Sequence, residues 1–107
     1  AKTFPKIIRE IRAVNPNVKI YADNIYNPAK GIDAFSQVYS VADAYINRMN
    51  RGFYPSDEYV LVDLKKCFDG EKESMVNLSF KGREIDPHPS EKGHKKIAQM
   101  VIKAMER

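Results

Sequence analysis

Apolar residues recur along the first stretch of the chain at the spacing of a helix. Phe4, Ile7, Ile8, Ile11 and Val14 share one face, which predicts a helix over 2–15 with one buried stripe. Asn15-Pro16-Asn17 stops it, because proline cannot continue the helix and restricts the residue before it. The β-branched and aromatic residues from Val18 to Asn24 predict a short strand, and Ile25-Tyr26-Asn27-Pro28 leaves it for a loop that ends near Gly31. The clearest helix is predicted over 33–50, where Phe35, Val38, Tyr39, Ala42, Tyr45, Ile46 and Met49 hold one face until Arg51-Gly52 closes it. Tyr59-Val60-Leu61-Val62 is a continuous apolar run of strand length, the kind covered on both faces of a parallel sheet. Residues 64–84 are polar and poorly patterned, and predict a loop with a helical turn near Lys66–Phe68. A last helix is predicted over 90–106, with Ile97, Ala98, Val101, Ala104 and Met105 facing inward.

Strands alternating with helices imply crossover connections and a parallel sheet, so the fold class is α/β. Two strands make a poor sheet, however, because they leave bare edges and much uncovered apolar surface. The pattern therefore predicts the second half of a flavodoxin-like three-layer α/β/α sandwich, its last two strands and last helices.

Composition narrows the picture modestly. At 107 residues, 43% apolar and 30% charged, the chain is the size of one small globular unit. No apolar run approaches the roughly 18 residues that span a bilayer, so no membrane span is expected. Ala1-Lys2-Thr3-Phe4-Pro5 has no signal-peptide pattern, so any export signal is expected to lie upstream or never to have existed. The single cysteine, Cys67, excludes an internal disulfide framework, and no histidine accompanies it in sequence. The net charge of +4 is spread along the chain with acids interleaved. Lys92, Lys95 and Lys96 fall on an amphipathic helix as a solvated face, so the charge does not point to nucleic acid.

The chemistry concentrates in Ile85-Asp86-Pro87-His88-Pro89-Ser90-Glu91-Lys92-Gly93-His94. Serine hydrolases need an imidazole to take the nucleophile's proton and a carboxylate to fix its tautomer. An acid two residues before a histidine, on a segment stiffened by Pro87 and Pro89, supplies both groups at little entropic cost. Ser90 is the expected N-cap of the helix that follows.

This stretch resembles the last block of the SGNH/GDSL hydrolase family, a group of lipases and acylhydrolases. The resemblance implies that His88 is the general base and Asp86 the orienting acid, with Pro89 and Gly93 at structural positions. The commonest family spacing puts the acid three residues before the histidine, where this chain has Ile85; Glu84 is a weaker candidate for the role. Val18 to Pro28 looks like the fourth-strand region of these enzymes, and Tyr59 to Asp63 like the strand before the catalytic loop. The likeness thus spans nearly the whole chain in the right order, and makes residues 1–107 the C-terminal half of one hydrolase domain. The family's nucleophile lies in a Gly-Asp-Ser block and its oxyanion donors in two further blocks, and this sequence contains neither Gly-Asp-Ser nor Gly-x-Asn-Asp. Ser36, Ser40, Ser56, Ser74, Ser79 and Ser90 have no such context, so the chain alone is expected to be inactive.

The resemblance therefore implies a carboxylic-ester hydrolase acting on a small acyl ester, with no cofactor and an extracellular or cell-surface location. Its partner is the missing N-terminal half, or a second copy in self-association. The alternative is a non-enzymatic basic α/β interaction module. His94, in the first turn of the last helix, reads as packing or capping, and its spacing from His88 does not suit a metal site. Tyr26 and Asn27 sit where a strand leaves the sheet at its carboxyl end; they are candidates for substrate contact and, equally, for holding the Asn27-Pro28 turn.

Overall fold

The structure, a computed structural model, describes residues 3–32, 35–53, 57–79 and 84–106, without the side chains of residues 78, 79, 84 and 85. Its elements are α1 (Thr3–Val14), β1 (Tyr21–Asp23), α2 (Ser36–Asn50), β2 (Val60–Val62), α3 (Leu64–Asp69), β3 (Val76–Ser79), β4 (Glu84–Pro89) and α4 (Glu91–Met105). The chain is mixed α/β. β1 and β2 pair in parallel, Tyr21 with Val60 and Asp23 with Val62, while β3 and β4 form a separate antiparallel hairpin.

The strand predicted over 18–24 is shorter at its start. Arg12 of α1 donates Nη1 to the carbonyls of Pro16 and Val18, at 3.2 and 3.0 Å, and holds that segment in a turn. The loop predicted over 64–84 is largely structured. Asp63 caps α3 by accepting the Lys66 N–H at 3.0 Å, and Leu64 and Phe68, four apart, are both 2% exposed. One and a half helical turns contain too few apolar repeats to register as a period.

The Asp-His segment, read as a loop, is the edge of the hairpin. Asn77 faces Asp86 and Val76 faces Pro89, so Pro87 and His88 have no opposite residues and form a bulge. The two prolines are tolerated there because neither bulge nor edge demands their missing N–H.

The hairpin is tied to α4 at one carbonyl. Met75 O accepts the Ser90 N–H at 2.8 Å and the Ser90 hydroxyl at 3.2 Å. Ser90 Oγ also accepts the Gly93 N–H at 3.1 Å, the N-cap bond expected from sequence, worth about 1 kcal/mol. Gly93 itself has no room for a side chain, since a Cβ there would lie 2.1 Å from Met75 O. From this anchor α4 lies over Val60 and Val62, burying Ala104 and half-burying Ile97, Met100 and Val101 with Tyr21 and Tyr26. Tyr59 and Leu61 alternate to the other face, where Phe4 of α1 sets its ring edge-on to Tyr59 at 5.1 Å.

Several residues predicted inward face solvent. In α1 only Ile8 is buried, while Ile7, Ile11 and Val14 are 46%, 40% and 89% exposed. In α2 Ile46 is buried, but Val38, Tyr45 and Met49 are each more than half exposed; in α4, Ala98 and Met105 point outward. The stripes are real, and a two-stranded sheet is too narrow to cover them. The accessible surface is 7805 Å², against about 6,100 Å² for a compact monomer of 12.3 kDa. The radius of gyration is 15.5 Å, where a packed domain of this length has about 13 Å. No helix is long and apolar enough to cross a membrane among the described residues.

Gly93→Ala tests the anchor. Alanine favours a helix by about 1 kcal/mol, but its methyl would meet a backbone carbonyl that two hydrogen bonds hold in place. The clash should win, with a net loss of about 2 kcal/mol. Thermal unfolding followed by circular dichroism should show a midpoint lower by several degrees; an unchanged or higher midpoint would mean that the Met75 carbonyl yields freely.

Candidate active site

The bulge places Asp86 and His88 side by side. One carboxylate oxygen of Asp86, Oδ1, lies 2.6 Å from His88 Nδ1 and also accepts the His88 backbone N–H at 3.0 Å. The three residues close on themselves as an Asx turn. Both of these bonds lie within three consecutive residues. With Nδ1–H donating to Asp86, Nε2 is left as the basic nitrogen, and the His88 side chain is 81% exposed. The His88 backbone N–H, and then its ring, hold the Asp86 carboxyl below the ordinary value of 3.8. The side chain of Glu84, the weaker candidate acid, lies outside the described residues.

Tyr26 reaches the same turn from the parallel sheet. Its hydroxyl donates to the Pro87 carbonyl at 2.5 Å, and its ring packs at 4.9 Å on the fully buried Phe68. Burial, and then the nearby charges of Asp86 and Asp23, push the Tyr26 hydroxyl above its ordinary pKa, so it stays a donor at neutral pH.

Asn27 faces inward instead. It is 2% exposed, donates to Tyr39 O at 3.1 Å and Asp43 Oδ1 at 3.2 Å, and accepts the Ala29 N–H at 3.0 Å. Its polar atoms are occupied in holding the turn to α2. His94 is exposed on the first turn of α4. Cys67 lies half-buried on α3, where burial pushes its thiol up and away from the reactive thiolate. Among the described residues no group of three or more His, Cys, Asp or Glu side chains is gathered to hold a metal ion. Among the serines whose side chains are described, Ser36, Ser40, Ser74 and Ser90, none hydrogen-bonds to His88.

A second polar centre was not visible in the sequence. Lys65, 8% exposed, bridges Asp43 at 2.8 Å and Asp69, joining α2 to α3. Its backbone N–H bonds to Asn24 Oδ1 at 2.9 Å, and Asn24 donates to Asp63 Oδ1 at 2.8 Å. Together with the end of α2 these groups line a hollow of about 720 Å³ beside the carboxyl ends of β1 and β2. Burial alone would raise the Asp43 carboxyl, but the hydrogen bonds from Lys65 and Asn27 outweigh it and lower it. Burial would likewise lower Lys65, but its two carboxylates raise it above 10.5. The acid's contribution to stability is thus lost as pH falls below about 4. That of the lysine is complete below its unfolded value near 10.5 and lost as pH rises through its folded one. The only local sequence signal for this centre is the Lys65–Asp69 spacing of four, in a stretch read as loop.

No family model, curated protein or solved structure matches the chain.

The Asp86 carboxyl, followed by carbon NMR, should titrate below 3.8, and His88→Ala should move its midpoint upward but not fully back, because the backbone bond remains. A midpoint indifferent to the substitution would separate the two side chains.

Proposed function

We propose that this chain carries the acid and base of a serine carboxylic-ester hydrolase of the SGNH/GDSL type. In this reading β1 and β2 are the last two strands of a flavodoxin-like three-layer sandwich. The observation that carries the proposal is the 2.6 Å contact between Asp86 and His88 Nδ1, in a turn that leaves Nε2 toward solvent. Two features support the half-domain reading. Helices touch both faces of the parallel pair, α4 through Val60 and Val62 and α1 through Tyr59. The surplus of roughly 1,700 Å² of surface per chain is about twice what one partner contributes to a standard interface, a size typical of obligate assemblies.

A serine from polypeptide outside these 107 residues attacks the acyl carbonyl of a small ester. His88 Nε2 takes the hydroxyl proton, Asp86 stabilises the imidazolium, and the same nitrogen then protonates the leaving alcohol. Water repeats the cycle on the acyl-enzyme, and the oxyanion donors come from the same outside half.

In the full-length protein, His88→Ala should lower turnover of p-nitrophenyl acetate by about a thousandfold or more with folding intact. His94→Ala should leave it within about twofold, as expected of an exposed residue away from the reaction. Wild-type turnover in the His88 variant removes the base from the scheme. The isolated chain should self-associate, or bind the other half, at micromolar concentration in sedimentation velocity. A monodisperse monomer that unfolds cooperatively would refute the half-domain reading.

A further inference from the structure

The imidazole of His88 projects from a bulge that is open to water on most sides, so its aim depends on the backbone beneath it. That backbone is one peptide unit, the Pro87 carbonyl and the His88 N–H. Both ends of the unit are held. The N–H donates to Asp86 Oδ1 at 3.0 Å, and the carbonyl accepts the Tyr26 hydroxyl. With donor and acceptor both fixed, the peptide plane cannot rotate, and the Cα–Cβ direction of His88 is set with it.

The two anchors differ in kind. Asp86 belongs to the turn and is paired with Asn77 of β3, so its bond ties the peptide to the hairpin and not to the parallel sheet. Asn77, which donates to Pro89 O at 3.4 Å, and Met75, which holds Ser90, sit on the hairpin's other arm or just before it. Among the described residues Tyr26 is the group that reaches this peptide unit from the side of the parallel sheet. It lies three residues beyond β1, 61 positions away in sequence, and its ring is set against Phe68 in the core under α4.

We infer that Tyr26 is the positioning residue of the acid–base pair, locking the Pro87–His88 peptide so that the imidazole keeps a fixed direction relative to the parallel sheet. The inference rests on the esterase reading and deepens it, assigning Tyr26 a role toward His88 rather than toward substrate. The hydroxyl has one proton and gives it to the Pro87 carbonyl. Burial of the phenol, and then the nearby charge of Asp86, discourage its ionisation and keep that proton in place through the neutral range. Removing the hydroxyl alone leaves the ring, its packing on Phe68 and the surrounding core unchanged.

Tyr26→Phe separates the possibilities when two readouts are combined. Hydrogen exchange, resolved to the His88 amide, should quicken about fivefold, the loss of one ordinary hydrogen bond, with little change in thermal midpoint. In the full-length protein, kcat for p-nitrophenyl acetate should fall about tenfold with KM nearly unchanged, as expected when a reacting group is misdirected while substrate binding is untouched. In an Asp86→Asn background the same substitution should add little, since the pair it steers is already broken. Unchanged exchange at His88, or a rise in KM with kcat retained, overturns the positioning role. So does full additivity with Asp86→Asn. If His88→Ala abolishes turnover and Tyr26→Phe does not lower it, the inference fails while the esterase reading stands. If both variants turn over normally, the esterase reading fails and the inference with it.

Discussion

The carbonyl of Met75 sits where three parts of the chain converge. It takes the Ser90 N–H and hydroxyl, and the first turn of α4 closes over it at a residue with no side chain. Because Ser90 is fixed there, β4 must end beside the start of β3. The pairing is already in register from Asp86 backward, so the surplus residues Pro87 and His88 have to leave the ladder. The exposure of the imidazole is thus a consequence of backbone length between two fixed points. An N-cap, a glycine and a register shift together bring the histidine out of the ladder.

The rest of the chain is short of surface to pack on. α1 and α2 carry apolar stripes with the expected helical spacing, yet Val14, Val38 and Tyr45 lie open, because among the described residues neither helix packs closely over the parallel pair. Within the described residues the outer edge of β1 meets no further strand. What covering there is comes from α4 on one face, from the ring packing of Phe4 on the other, and from the Lys65 network that ties α2 to α3. A charged tie of this kind is a weak source of stability, but removing one member leaves a half-buried charge without its partner.

How much was legible follows from the distance in sequence over which each feature acts. The long helices showed through their periods, and Ser90 as a cap through its place before one of them. The pairing of Asp86 with His88 could be anticipated because both lie in one three-residue turn. The hairpin was missed because its first strand is four residues long and its second contains two prolines, which count against a strand unless the residue sits at an edge or bulge. Lys65 gave little warning, since its burial depends not only on Asp69, four residues on, but on Asp43, a carboxylate that α2 delivers from more than twenty residues away. Tyr26 and Asn27 are neighbours that read alike, yet one turns to the His88 turn and the other into the fold. No periodicity distinguishes them; only the path of the chain after β1 does.

Because one oxygen of Asp86 binds both the backbone and the ring of His88, the contact between carboxylate and imidazole is closed within three consecutive residues. Such a contact is encoded by one short stretch of sequence. A change elsewhere in the chain leaves the contact itself complete and alters only the direction in which the imidazole faces. Changes in the exposed surfaces of α1, α2 and β1 can therefore accumulate without touching this contact.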